Sequence, residues 1–143
     1  MSRHVLVAID YSERSKAALR QAFEDFPDAE ITALHVIDFR SSDLGPGGFG
    51  DANAWDDWFE DARDHADELL AEVEAIAAEY DREVVTATAV GEDAKTIIEY
   101  VGEHDVDHVY VGSHGRTGVM RVLLGSVAET VVRRAPVPVT VVR

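Results

Sequence analysis

The feature that most constrains this chain is the alternation of short apolar runs with longer segments of helical periodicity. Val5 to Ile9 is a continuous apolar run, which is typical of a strand covered on both faces of a sheet. After Ser12, apolar residues recur at helical spacing, and apolar runs then alternate with segments of helical spacing until the end of the chain. Strands that alternate with helices predict a parallel sheet with helices on both faces. We therefore predict that the 143 residues form one α/β domain with an open, five-stranded parallel sheet.

The same periodicities place the individual elements. Ser12 is suited to cap the first helix, and Trp55 and Trp58 begin the apolar face of a long second helix. We expect both tryptophans to anchor the core rather than to form a stacking platform. The later strands are expected at 31–37, 84–90, around Val109 and at 137–142. The main loop covers 38–53, and its glycine-rich part, 45–50, is either a lid over a ligand or a tolerated insertion.

The composition limits both the partners and the chemistry. With 28 acidic and 13 basic residues the net charge is −15, so nucleic acid, which needs a basic surface, is not an expected partner. The absence of cysteine excludes disulfides, thiolate metal sites and cysteine nucleophiles. Neither a membrane span nor a signal peptide is expected, which predicts a cytoplasmic protein. The acidic surface is either an adaptation to a salty, halophilic cytosol or a property without that role.

Glycines lie where the fourth predicted strand ends and where the next helix begins. Gly112-Ser113-His114-Gly115 is separated by nine residues from Gly125-Ser126. Glycine tolerates positive φ and lets a ligand approach the backbone, and the first turn of a helix attracts anions. The spacing therefore predicts a phosphate site. Ser126 and Glu129 also match a capping box, with Ser126 as the cap.

Two familiar phosphate motifs are excluded. No lysine follows the glycines as a P-loop requires, and the dinucleotide fingerprint is absent after the first strand. Positive charge must then come from backbone amides, from a cation, or from His114, Arg116 or Arg121.

Asp10 follows the first strand, and it faces the glycines if the first and fourth strands are neighbours. There it can accept hydrogen bonds from ribose hydroxyls or help to hold a hydrated metal ion. The alternative is that it only begins the first helix.

Three further features bear on partners and metals. Pro136 and Pro138 place the last strand at a sheet edge, which either pairs with a second copy or remains a monomeric edge blunted by Pro138. His104 and His108 have a spacing that can bind metal on a helix, although a solvated loop fits this region better. His35, within a strand, is expected to be a hydrogen-bonded core residue.

These residues together resemble the universal stress protein family, and its ATP-binding branch in particular. Gly112, Gly115, Gly125 and Ser126 match the Gly-x-x-Gly, nine residues, Gly-Ser/Thr pattern of that branch. The opening strand with Asp10, the Leu34-His35-Val36 strand and the segment from Gly125 to Val142 are also similar to the family. The resemblance covers essentially the whole of residues 1–143.

This resemblance implies a Rossmann-like, adenine nucleotide alpha hydrolase-like fold that binds ATP, with Mg²⁺ or Mn²⁺. It implies that Asp10 contacts ribose or metal, and that the Val36 backbone recognises adenine. It also implies that the ribose and phosphates are surrounded by Gly112, His114, Gly115, Gly125, Ser126 and Val127. A homodimer paired through Val137–Val142 is implied as well. Tyr11 and Ala128 depart from the family pattern, so the pose of the base and one phosphate contact can differ.

The expected function is binding rather than catalysis. Hydrolysis needs a residue that orients water, and no general base is dictated by the spacing, although His114 and Arg116 can assist. We therefore expect an ATP-binding regulator of the stress response. The alternatives are a slow, metal-dependent adenine-nucleotide hydrolase using Asp10, and a dimeric stress scaffold that binds no nucleotide.

Overall fold

The protein is seen in a computed structural model that describes residues 3–38, 52–113 and 124–143. Five parallel strands form one sheet in the order β3-β2-β1-β4-β5. The elements in chain order are β1 (His4–Ala8), α1 (Glu13–Asp25), β2 (Glu30–Ile37), α2 (Ala52–Glu79), β3 (Val85–Val90), α3 (Asp93–Glu103), β4 (His108–Gly112), α4 (Ser126–Arg134) and β5 (Val139–Val142). The predicted α/β fold with a five-stranded parallel sheet is confirmed.

The strand order reverses at the centre of the sheet. From β1 the chain moves outward through β2 to β3, and it then returns to the other side of β1 to form β4 and β5. Val7 of β1 is therefore opposite Ala33 of β2 on one side and Tyr110 of β4 on the other. A crevice opens at such a reversal, beyond the carboxyl ends of the strands. The condition under which Asp10 faces the glycines, that β1 and β4 are neighbours, is met.

A hydrophobic core lies on each face of the sheet. Val5 and Val7 of β1 point to the face covered by α1 and α2, where Leu19 and Val73 are fully buried. Leu6 points to the opposite face, covered by α3 and α4. This alternation follows from the period of two residues along a strand, and it explains why β1 is apolar from Val5 to Ala8. No helix in the described ranges combines the length and apolarity that a membrane crossing requires.

The first and last helices begin differently. Ser12 caps α1 as predicted, since its side chain accepts a hydrogen bond from the Ser15 amide. The predicted capping box at α4 is wrong, because the cap is Gly125 and Ser126 is already helical. Glu129 pairs with Arg133 along the helix instead of reaching back to the cap.

The last strand lies at the sheet edge, as predicted. β5 pairs with β4 in parallel, from Val109 opposite Val139 to Gly112 opposite Val142. It begins at Val139, after both prolines. His108 belongs to β4 and its ring bonds the Thr140 hydroxyl at 2.8 Å, so the expected solvated loop is wrong for His108.

The long helix α2 extends past the sheet. Its buried residues begin at Ala66, whereas Trp55 and Trp58 are only half-buried and belong to neither core cluster. The two indoles lie 5.6 Å apart, and Trp55 stacks on Phe59 at 5.8 Å. The expectation that both tryptophans anchor the core is therefore wrong.

Candidate functional site

A cavity of about 910 Å³ lies at the carboxyl ends of β1, β2 and β4. Small-molecule sites typically have volumes of about 300–1,000 Å³. Six residues that the sequence nominated line this one cavity, namely Asp10, Val36, Gly112, Gly125, Ser126 and Val127. The other three nominated residues, His114, Gly115 and Arg116, lie outside the described residues, as do Arg121 and the loop at 45–50.

Asp10 has a structural role as well as a place on the cavity wall. Its Oδ1 accepts hydrogen bonds from the amide of Ser12, at 2.8 Å, and from the Ser12 hydroxyl. The Asp10 backbone is tied to the Ser15 hydroxyl by bonds of 3.1 and 3.0 Å. These contacts fix the carboxylate at the start of α1. Among the described residues, Oδ2 is left to accept a hydrogen bond from a ligand or to face a cation.

Gly112 is required by packing, which the sequence did not reveal. A Cβ at this position would lie 2.9 Å from the carbonyl carbon and the Cβ of Arg14, and 3.0 Å from the Ser15 nitrogen. The absence of a side chain therefore lets the first turn of α1 approach the end of β4 closely. Positive φ is not the reason for this glycine or for Gly125, whose φ is −65°.

Ser113 joins the two glycine segments. Its carbonyl accepts a hydrogen bond from the Gly125 amide at 2.7 Å, and its own amide donates to the Val142 carbonyl at 2.8 Å. The Gly125 amide is thus used internally rather than offered to an anion. The amides of the first turn of α4, starting at Ser126, remain the donors that a helix N-terminus presents.

The end of β2 turns backbone groups toward the crevice. Pairing between β1 and β2 ends at Ala8 opposite Leu34, followed by a 2.8 Å bond from the Ile9 amide to the Leu34 carbonyl. Successive residues of a strand point their backbone groups to alternate sides. Val36 therefore directs its amide and carbonyl to the same side as Leu34, beyond the last paired residue of β1.

Aromatic rings also line the cavity near this point. His35 is buried and its Nδ1 bonds the Ile9 carbonyl at 2.8 Å, which confirms the expected hydrogen-bonded core histidine. Tyr11, which departs from the family's sequence pattern, lies edge-on to His35 with ring centroids 5.4 Å apart. Its ring is 42% exposed, so it lies at the rim of the cavity without filling it.

Sequence reasoning did not nominate three charged or titratable residues that line the cavity, namely Asp38, His65 and Asp93, and it favoured a core role for Trp58. Asp38 is buried, and its Oδ2 accepts the Asp93 amide at 3.2 Å, which caps α3 from a distant part of the chain. Its position after a buried strand is the signal that also singled out Asp10. The i, i+7 spacing of Trp58 and His65 indicates a shared helix face, but not that this face lines a cavity.

The charges around the cavity are mixed. Asp10, Asp38 and Asp93 supply carboxylates. The carbonyl and carboxylate of Asp61 raise the pKa of His65, which stabilises its protonated form relative to a free histidine. Arg14, another residue not nominated from the sequence, donates from its guanidinium to the Ser113 hydroxyl at 3.3 Å. In the described ranges, no group of three or more acidic or histidine side chains is arranged to hold a metal ion.

Comparison with known sequences identifies the family. The profile of the universal stress protein family matches residues 1–143. The chain belongs to the universal stress protein family. The universal stress protein MJ0531 of Methanocaldococcus jannaschii is 32% identical over 144 residues, covering 99% of this chain and 82% of that protein.

Solved structures of universal stress proteins share the fold. The protein UspA from Lactobacillus plantarum is 26% identical with a TM-score of 0.82, and the match covers 99% of this chain and 97% of that one. The universal stress protein of Archaeoglobus fulgidus in complex with dAMP is 22% identical with a TM-score of 0.70, covering 100% and 98% of the two chains. The Rossmann-like fold class is therefore established for this chain.

Proposed function

We propose that this universal stress protein binds ATP in the cytoplasm and acts as a nucleotide-dependent regulator in the stress response. The observation that carries the proposal is the single cavity that joins Asp10, the backbone of Val36 and the first turn of α4. These groups suit the ribose, the base and the phosphates of one nucleotide. The dAMP bound by the relative from Archaeoglobus fulgidus supports an adenine nucleotide as the ligand class.

The pose follows from where donors and acceptors lie. The amide and carbonyl of Val36 point past the end of β1, where they can pair with the edge of adenine. The phosphates fit the amide donors and the positive dipole end at Ser126 and Val127. Asp10 lies at the end of the central strand between β2 and β4, where its free Oδ2 suits a ribose hydroxyl. The sequence pattern and the family resemblance add His114, Gly115 and Arg116, which lie outside the described residues, to the proposed phosphate side.

A divalent cation fits this arrangement when it arrives with the nucleotide. Magnesium usually takes one or two carboxylates together with substrate phosphates, rather than a cage made by the protein alone. The described residues offer Asp10 but no three-ligand cluster, which agrees with that mode. Bound Mg²⁺ or Mn²⁺ would neutralise part of the phosphate charge beside the cavity carboxylates.

The hydrogen bonds of the Asp10 and Asp38 carboxylates favour binding over hydrolysis. Asp10 holds the start of α1 and Asp38 holds the start of α3. One oxygen of each carboxylate is thus engaged in fixing a helix terminus, and Asp10 Oδ2 is assigned to the ribose or the cation rather than to activating water. A nucleotide that spans these termini can instead change how the helices sit on the sheet, which suits a regulator.

The proposal is tested by nucleotide content and titration. The purified protein is denatured and the released nucleotides are separated, and the emptied protein is then titrated with ATP, ADP and AMP with and without Mg²⁺ at high salt. We expect ATP with Mg²⁺ to bind most tightly. No copurified nucleotide and no measurable binding would overturn the proposal and leave the dimeric scaffold. Steady release of ADP, lost in Asp10→Asn, would favour the slow hydrolase.

The phosphate end is tested by Gly125→Val. The backbone angles of Gly125, φ −65° and ψ 158°, are open to any residue, so we expect the variant to fold. Its side chain would occupy the approach to Ser126 and abolish ATP binding. Gly102→Val is the matched control, because a Cβ at Gly102 meets no atom within 4 Å and Gly102 lies in α3, outside the cavity lining. Equal affinities of the two variants would contradict the proposed phosphate position.

We also propose a homodimer formed through the last strand, Val137–Val142. In the described sheet β5 pairs only with β4, so its outer edge is open to another strand. Three of its four residues are valines, so this edge is also apolar. A second copy of the same edge would cover it in a symmetric, self-complementary pairing.

A further inference from the structure

We propose that the indole of Trp58 packs against the base of the bound nucleotide. This inference rests on the proposed function and adds to it a base contact supplied by α2. It concerns an aromatic residue that lines the cavity and that belongs to neither hydrophobic cluster of the described residues.

The length of α2 explains how Trp58 reaches the cavity. The helix has 28 residues, which corresponds to about 42 Å at a rise of ~1.5 Å per residue. The eight residues of β2 span only about 26 Å at ~3.3 Å per residue. Burial in the core starts at Ala66, so the segment before it extends beyond the carboxyl edge of the sheet.

The cavity side of this projecting segment is a single helix face. Trp58, Ala62 and His65 line the cavity and follow the i, i+4, i+7 spacing of neighbours along one face. Trp55, three residues before Trp58, belongs to the same aromatic cluster but does not line the cavity. The ring of Trp55 lies 5.6 Å from that of Trp58 and 5.8 Å from that of Phe59, between centroids, so it packs beside the Trp58 indole.

The position of α2 assigns Trp58 to the base rather than to the phosphates. The helix packs against β2 and β3, and β2 is the strand that carries Val36. The proposed phosphate donors begin α4, which packs against α3 and β5. Trp58 therefore lies on the Val36 side of the cavity, where the proposed base lies.

The chemistry of an indole suits this place. Stacking between a base and an aromatic side chain contributes about 1–3 kcal/mol per base. The ring of Trp58 is half-buried before any ligand binds, so little further ordering is needed on binding. Tyr11 and His35 line the same cavity and add aromatic surface around the base.

The two tryptophans of the chain allow a test with one reporter at a time. Trp55→Phe leaves Trp58 as the only indole, and Trp58→Phe leaves Trp55. We expect saturating ATP with Mg²⁺ to quench the fluorescence of the first variant strongly and that of the second weakly. Equal responses from the two variants, or no response from Trp58, would overturn the inference.

Affinity gives a second readout, measured by equilibrium dialysis with radiolabelled ATP. Trp58→Leu, which keeps apolar volume but lacks a ring, should weaken ATP binding by about 5- to 150-fold, the range that corresponds to one stacked base. Trp58→Phe should lose less, and Trp55→Phe, which keeps an aromatic ring next to Trp58, is the matched control with a change of less than about threefold. An unaltered Kd in Trp58→Leu would contradict the inference.

Failure of the inference can be told apart from failure of the proposed function. If the wild-type protein binds ATP but neither readout involves Trp58, the inference alone is wrong. If the wild-type protein binds no nucleotide in dialysis, the proposed function is wrong as well. Circular dichroism of each variant checks that the fold is retained, and the Trp55→Phe experiment keeps the native Trp58 in any case.

Discussion

Gly112 ends β4 where the first turn of α1 passes closest to the sheet. An added Cβ would lie 2.9 Å from backbone and side-chain atoms of Arg14, so Gly112→Ala must push the helix away from the strand. We expect a loss of about 1–3 kcal/mol in the free energy of unfolding, as in other overpacked sites. The measurement is urea unfolding followed by circular dichroism.

The control for that substitution is Gly102→Ala. Gly102 lies in α3 and has open space around its Cβ position, so alanine should stabilise the protein by up to about 1 kcal/mol through helix propensity. Opposite shifts of the two urea midpoints would confirm that Gly112 is a packing glycine. Equal shifts would show that the close approach of α1 is not limiting.

His108 gives a pH-dependent contribution to stability. Burial lowers its pKa, and the Arg3 guanidinium lowers it further, whereas Asp25 acts in the opposite direction. The unfolded chain, with a histidine pKa of about 6.5, therefore takes up the proton more readily than the folded protein. Stability should be fully present above that pKa and should fall as the pH drops from about 7 to about 5.

His108→Gln should reduce this loss of stability between about pH 7 and pH 5, measured as the urea midpoint at each pH. His65→Gln is a control of opposite sign, because contacts with Asp61 raise the pKa of His65 in the folded protein. Loss of the His65 imidazole should leave the fall in stability towards low pH as steep as in the wild-type protein, or make it steeper. A parallel response of both variants would contradict the assigned role of His108.

At the scale of elements, β5 carries the prediction about assembly. The carbonyls of Pro138 and Val142 accept hydrogen bonds from β4, so the amide of Val141, which alternates with them, points away from the sheet. Val141→Pro removes that outward donor while it leaves the β4 ladder intact. We expect sedimentation to show a dimer for the wild-type protein and a monomer for the variant. A wild-type monomer, or an unchanged variant dimer, would contradict pairing through this edge.

The elements also show what periodicity can and cannot predict. Strands and helices alternate in the described residues as predicted, because apolar repeats depend directly on which face of a strand or helix is buried. Several features that the sequence did not predict depend on a distant segment. Asp38 caps α3 across 55 positions of sequence, and the place of Trp58 depends on how far α2 projects beyond β2. The glycine spacing nominated Gly112, which lines the cavity, but it did not reveal that the close approach of α1 also requires a glycine there.

At the scale of the whole molecule, charge is distributed unevenly. The net charge is −15, and α2 contributes exposed acids along the face opposite its core contacts, among them Asp57, Glu60, Asp64 and Glu68. Two ion pairs tie this helix to α1, Lys16 with Glu72 at 2.8 Å and Arg20 with Glu79. Exposed pairs of this kind contribute only about 0–1 kcal/mol each. We expect repulsion among the remaining exposed acids to limit stability at low salt.

We therefore expect added KCl to stabilise the protein. Salt reduces the Debye length from about 10 Å at 0.1 M to about 3 Å at 1 M, which screens the repulsion between exposed carboxylates. The urea midpoint should rise with KCl, most steeply at low concentration where screening changes fastest. Replacing Asp57, Glu60, Asp64 and Glu68 by their amides should raise the midpoint at low salt and flatten its dependence on KCl.

Sucrose at matched osmolality is the control that separates charge screening by KCl from exclusion of the solute from the protein surface, because sucrose leaves charge repulsion unchanged. A midpoint that is independent of KCl, or equal slopes for the wild type and the amide variant, would show that self-repulsion does not limit stability.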